Sequence, residues 1–194
     1  PCLVRVTWND IPNIKRVLEA GPDAIVVPMV NSVEEARRAI DTCIYPPEGR
    51  RGFGPCRAIR YGIDSAREYI HHASKELCRF VQVETREAVE CMEKIAEIPY
   101  LDGFIIGPMD LSGSVGELGQ SPNGVEANRL IETAIRKAHA CGKPIGISTG
   151  ADNAEELAHW MSMGVDFLSA STDMWGIIKS ARELLERMEA ISVR

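Results

Sequence analysis

The sequence has no long apolar run. Its longest, residues 24–30 (AIVVPMV), is the length of a strand and far short of a bilayer-crossing helix, so no membrane span is expected. It has no basic cluster: 22 Lys and Arg stand against 28 Asp and Glu, a formal net charge of −6, which argues against a nucleic acid partner. No CxxC pair occurs among its six cysteines (Cys2, Cys43, Cys56, Cys78, Cys91, Cys141). Scattered as they are, and with no secretory leader at the front, they read as reduced thiols of a cytoplasmic protein. No GxGxxG follows the first strand-like segment. No lysine ends a strand: Lys15, Lys75, Lys94, Lys137, Lys143 and Lys179 fall in helical runs or just before strands, so a Schiff-base lysine has no candidate. His71, His72, His139 and His159 all fall on helical patterns, which leaves no imidazole base at a strand end.

What remains is an ordinary globular composition, 45% apolar over 194 residues, enough for one core in a single domain spanning 1–194. Strand-like and helix-like stretches alternate along it. Residues 3–6 read as a strand, and Asp10 with Pro12 opens a helix that ends near Gly21. Residues 24–30 form a strand expected to end or bulge at Pro28, and Asn31 and Ser32 cap the next helix. Residues 45–62, with three Pro, four Gly and four Arg, break the rhythm; a long structured loop of this kind is often functional. A helix follows over 64–77, then a strand at 80–84, a helix from Thr85 and a strand running from Leu101 towards Asp110. A loop over 111–124 leads to a helix at 125–141. The chain closes with strands at 144–148 and 166–171, each followed by a helix, at 154–164 and 174–190.

Six β–α repeats predict a parallel sheet covered by helices. Functional-looking residues at the ends of several strands and the missing GxGxxG favour a (β/α)₈ TIM barrel over an open doubly wound sheet. Such a barrel takes eight units and typically ~250 residues; this chain supplies the last six. It also begins directly in a strand and without Met, so a missing or processed front is expected.

The chemistry concentrates in residues 80–112. Two strands, FVQVE and LDGFIIGPMD, flank a helix and end in Glu84 and Asp110. Parallel strands joined by a right-handed crossover bring both carboxylates to one rim, where two hard oxygen ligands suit a divalent cation such as Mg²⁺ or Mn²⁺. Each acid also has a plainer role, Glu84 near a helix N-terminus and Asp110 as an N-cap. Gln82 shares the strand face of Glu84. Arg5 is a cation within an apolar strand, either in a structural ion pair or placed to stabilise an oxyanion at the barrel mouth.

LVRVTWNDIPNIKRVLEAG, IVVPMVNSVEEARRAI, YPPEGRRGFGP, QVETREAVE and LDGFIIGPMDLSGSVGELG together resemble the metal-dependent (class II) pyruvate aldolases of the 4-hydroxy-2-oxoheptanedioate and 2-dehydro-3-deoxyglucarate aldolase family. The resemblance implies carbon–carbon lyase activity: reversible cleavage of a 4-hydroxy-2-oxo acid to pyruvate and an aldehyde. It implies Mg²⁺, Mn²⁺ or Co²⁺ on Glu84 and Asp110, chelated by pyruvate, and no organic cofactor. Arg5 would stabilise the enolate, Gln82 would bind substrate, and Gly107, Pro108, Met109 and Asp110 would hold the pyruvate carboxylate. Glu19 falls where the family carries an acid supporting its catalytic histidine; it is equally an i,i+4 partner of Lys15. Ser148 ends a strand where the family often has an apolar residue beside the aldehyde.

The family's catalytic histidine lies on an N-terminal segment absent from this sequence, so the 194-residue chain alone is expected to have little aldol activity. Two other readings stand beside the aldolase: a citrate-lyase-type acyl-CoA lyase, and an inactive fragment or binding subunit completed by another chain. The resemblance also implies a homo-oligomer, often a hexamer with exchanged C-terminal helices. The amphipathic run Ile177, Ile178, Ala181, Leu184, Leu185, Met188 suits that, and equally suits covering its own barrel.

Overall fold

The computed structural model of the chain describes residues 1–120 and 124–192. Six strands pair in parallel and in chain order: β1 (Leu3–Arg5), β2 (Ala24–Val27), β3 (Cys78–Val83), β4 (Gly103–Ile106), β5 (Ile145–Ser148) and β6 (Phe167–Ser169). Strand order never reverses, so right-handed crossovers deliver all the connecting helices to one face of the sheet. These are α1 (Ile11–Ala20), α2 (Val33–Cys43), α3 (Ala66–Glu76), α4 (Arg86–Ala96), α5 (Pro108–Ser114), α6 (Val125–Ala140), α7 (Ala154–Ser162) and α8 (Asp173–Ser192). The result is an open, barrel-like half with six β–α units. It has no crevice from reversed strand order, which a doubly wound sheet would need.

Strand register divides the side chains by period two. Val27, Val81, Phe104 and Ile145 lie side by side on one face, as do Val83, Ile106 and Ile147. All are buried in one core with Leu18, Ile40, Met92, Ile95, Leu130 and Ile131 from the helices. Each such side chain contributes ~1.5–3 kcal/mol by leaving water. The concave face carries Arg5, Val26, Phe80, Gln82, Ile105, Ser148, Phe167 and Ser169. The Phe80 and Phe167 rings meet there edge to face, centroids 5.6 Å apart. Two glycines between their strands make the room. A Cβ on Gly103 would stand 2.8 Å from Phe80 Cε1, and one on Gly146 would enter the Phe167 ring.

Local signals set the helix starts. Asp10, Ser32, Ser65, Thr85 and Asn153 each accept a hydrogen bond from a backbone N–H three residues on, a cap worth about 1 kcal/mol. Gly21 closes α1 in the left-handed conformation (φ 72°), as expected. β2 stops at Val27, just before Pro28, as expected. Other expectations need correction. Asn31 does not cap α2 with its side chain: its oxygen accepts from Thr85 Oγ1 at 2.8 Å. The fourth strand ends at Ile106, not at Asp110, because Pro108 opens α5 at its first position, where a missing N–H costs nothing. Residues 121–123 of the expected 111–124 loop lie outside the described residues.

The 45–62 segment lies at the strand N-terminal end, opposite the rim with the acids. Arg57 Nη1 donates to Ala20 O (2.6 Å), and Arg51 Nη2 donates to Leu18 O (3.2 Å) and Tyr69 Oη (2.9 Å). The buried Arg51 guanidinium also lies 4.4 Å from the centroid of the Tyr45 ring. A cation at the C-terminus of α1 against an aromatic face needs no carboxylate partner. All six cysteines are free thiols, and burial pushes that of Cys43 up to about 12.

Asp166 ties β5 to α6: its Oδ2 accepts from Ile145 N (2.8 Å) and pairs with His139 Nε2 (3.0 Å). The Ile145 N–H, then His139, hold its carboxyl below the ordinary range. A depressed folded value gives stability that is present above the unfolded value, about 3.9, and lost as pH falls through the folded one. Urea unfolding of Asp166→Asn is expected to lose that decline, which in the parent protein sets in as pH falls below about 4. Gly146→Ala is expected to cost ~1–3 kcal/mol by overpacking against Phe167, and Phe167→Leu in the same chain to restore part of it.

Candidate active site

Parallel strands aim their C-terminal ends at one rim, and four site residues sit there because of where their strands stop. Arg5 ends β1, Gln82 is the last but one residue of β3, Glu84 is the first beyond it, and Ser148 ends β5. Asp110 arrives differently, in the first turn of α5, where a carboxylate is favoured by the helix dipole. These five, with Gly107, Pro108 and Met109, line one cavity of about 190 Å³. A second cavity of about 250 Å³ continues down the concave face, between Arg5, Gln82 and Ser148 above and the apolar Val26, Ile105 and Phe167 below.

Glu84 is buried, and its Oε2 accepts the Met29 N–H at 2.8 Å. Burial pushes its carboxyl above the usual range; the Met29 N–H draws it down, neighbouring Asp110 raises it, and the Arg5 charge lowers it. Asp110 is thus near enough for its charge to act on Glu84, while Arg5 makes no ion pair among the described residues. Gly107 is the floor between the acids and Gln82. A Cβ there would stand 2.7 Å from Gln82 Nε2 and 2.9 Å from Glu84 Cγ. Gln82 is buried with its Oε1 unpaired, an acceptor that a ligand donor would satisfy. The first helical bond of α5 runs from Leu111 N to Gly107 O (3.0 Å), so the N–H groups of Met109 and Asp110 have no partner within the helix.

Two adjoining carboxylates, one of them buried, repel unless a proton or a cation lies between them. Their hard oxygens, with no third His, Cys, Asp or Glu beside them among the described residues, fit a divalent cation such as Mg²⁺ or Mn²⁺ that keeps several positions for water and substrate. The surrounding donors fit an oxo acid: Arg5, the α5 N–H groups and Ser148.

Glu19 is not brought to this cavity. It lies in the last turn of α1, paired with Lys15 at the opposite end of the strands, beside Gly54. The histidines lie on helices as expected, on α3, α6 and α7. The sequence gives no sign of the Met29 contact, since nothing in PMVN marks Met29 for the left-handed backbone (φ 56°) it adopts.

The model of a known family, the HpcH/HpaI aldolase/citrate lyase family, matches residues 1–174. A 4-hydroxy-2-oxo-heptane-1,7-dioate aldolase of Klebsiella pneumoniae is 36% identical over 185 residues, which are 95% of this chain and 69% of that protein. Two solved structures share the fold at 26% identity, each covering 96% of this chain. One is an aldolase/citrate lyase family protein from Burkholderia cenocepacia (TM-score 0.85, 73% of that chain). The other is an HpcH/HpaI aldolase from Desulfitobacterium hafniense (TM-score 0.83, 71% of that chain). With the match running through every element that builds the rim, this chain belongs to the HpcH/HpaI aldolase/citrate lyase family.

Proposed function

We propose that the chain forms the metal and pyruvate half of an aldolase that reversibly cleaves a 4-hydroxy-2-oxo acid to pyruvate and an aldehyde. The observation that carries this is the convergence of Arg5, Gln82, Glu84 and Asp110 on a single cavity of about 190 Å³. Glu84 and Asp110 would hold a divalent cation, Mg²⁺, Mn²⁺ or Co²⁺. When bound, that ion supplies Lewis-acid stabilisation of negative charge developing on the substrate's keto oxygen.

The chain's own residues account for the rest of the charge handling. The N–H groups of Met109 and Asp110, above Gly107 and Pro108, orient the substrate carboxylate. Gln82 takes a substrate donor on its unpaired oxygen. In cleavage the C4 hydroxyl gives up its proton, its oxygen becomes the aldehyde carbonyl, and the C3–C4 bond breaks. The electron pair moves to C3 and the C2 oxygen, giving an enolate that a proton at C3 converts to pyruvate. Arg5 meets the enolate oxygen with its guanidinium, whose stabilisation matters only as the bond breaks. Ser148, at the far side of the cavity, faces the aldehyde portion. The general base lies outside this set: among the described residues no histidine lines the cavity, and Glu19 lies at the other end of the strands.

The same reading extends to architecture and assembly. Two further strands between β6 and β1 would complete an eight-stranded barrel. α8 exposes Ile177 (63%), Leu184 (56%) and Met188 (57%), and an apolar stripe of this kind is covered by a second copy in a homo-oligomer, of which a hexamer is one form.

Mn²⁺ titrated by calorimetry is expected to bind more tightly with pyruvate present, and Glu84→Gln or Asp110→Asn to lose at least the ~10–100-fold that even an outer-shell partner contributes. Binding that ignores both pyruvate and the substitutions would overturn the reading. In the active assembly, Arg5→Lys is expected to lower kcat by about 10²–10³. For assembly, sedimentation velocity should find an oligomer that Leu184→Glu with Met188→Glu dissociates; a monomeric parent protein sinks that part.

A further inference from the structure

The two oxygens of Glu84 have different surroundings. Oε2 is taken by the Met29 N–H at 2.8 Å. Oε1 lies over Gly107, where a Cβ would stand 3.1 Å from it. One oxygen belongs to the protein, and one is left for the cavity.

The contact needs an unusual backbone. Met29 has φ 56°, in the left-handed region that residues other than Gly, Asn and Asp seldom occupy. Both flanks of Met29 are pinned. Val27 is paired with Val81 in the β2–β3 ladder, and Val30 is buried. Asn31 is held twice, its N–H on Glu35 Oε2 (2.7 Å) and its side-chain oxygen on Thr85 Oγ1 (2.8 Å). Pro28, one residue earlier, has no N–H to offer. With the chain fixed on both sides, ψ of Pro28 and φ of Met29 turn together and tilt the peptide plane that carries the N–H, so an ordinary negative φ at residue 29 goes with an N–H turned off Glu84. A strained residue at a rim, bonded to a charged side chain there, is how folds hold a ligand in place.

We propose that the Met29 backbone N–H is a positioning group. It claims Oε2 of Glu84 and leaves Oε1 as the single oxygen that Glu84 offers a divalent cation, and the left-handed turn at Met29 delivers it. This rests on the cation reading of Glu84 and Asp110 above. It makes the conformation of residue 29, and not its side chain, the requirement.

The test is Mn²⁺ affinity, measured by calorimetry on the protein and its residue 29 variants, with urea unfolding recorded for each. Met29→Ile, whose β-branched side chain resists the left-handed region, is expected to weaken Mn²⁺ binding by about 10–100-fold. Met29→Gly and Met29→Asn, which tolerate that region, should fall well short of that loss. Should Met29→Ile not fold, the α-hydroxy acid analogue of methionine at position 29 replaces the N–H by an ester oxygen and is expected to show the same weakening. Equal losses in the Gly and Ile variants would assign the effect to the side chain and overturn the proposal. An ester variant that binds Mn²⁺ like the parent, while Glu84→Gln does not, would reject the positioning role and leave the cation site standing. Mn²⁺ binding unaffected by Glu84→Gln would reject both.

Discussion

A carboxylate buried beside another carboxylate is unfavourable unless its surroundings answer the charge. The rim of this sheet is built around that constraint. Glu84 is carried there by β3, Asp110 by the first turn of α5, and Arg5 by β1, three separate elements whose positions the parallel ladder fixes together. Met29 adds a backbone dipole from the turn after β2. Gly107 contributes by having no side chain, since a Cβ would collide with both Gln82 and Glu84. Remove the requirement to hold two acids in one small cavity, and neither the left-handed turn at Met29 nor the bare floor at Gly107 has an evident reason.

The division of labour follows from strand polarity. Helices return the chain to the strand N-terminal end, so side chains late in a helix lie far from the rim, however reactive they are. That separates Glu19 from Glu84 and places the arginine-rich 45–62 segment against the C-terminus of α1, where Arg51 is held by Leu18, Tyr45 and Tyr69. In the fold this segment of Gly, Pro and Arg packs at the end of the domain without the acids.

Much of this was legible in the amino-acid order. Apolar runs of strand length, capping residues such as Ser32 and Thr85, and acids placed just after FVQV and within GPMD located the units and the rim, because each depends on local chemistry. The exact end of the fourth strand was not legible: GFII and GPMD are both compatible with extended backbone, and only Pro108 at the helix start separates them. The Glu19 placement required knowing which end of α1 faces the acids. Met29 was invisible, because its conformation is imposed by neighbours far along the chain, Glu84 and Thr85, and a methionine gives no hint of left-handed backbone.

The aromatic pair beneath the rim bears on all of this from a distance. Phe80 and Phe167 come from strands that are not neighbours, and they touch across Gly103 and Gly146, which offer no side chain of their own. The contact acts as a tie-beam across the hollow of the sheet, setting how tightly it curls. The span from Arg5 to Ser148 is therefore governed in part by hydrocarbon that never touches the reactants. A change in ring size there would retune the width of the mouth while leaving every charged group in the cavity chemically unaltered.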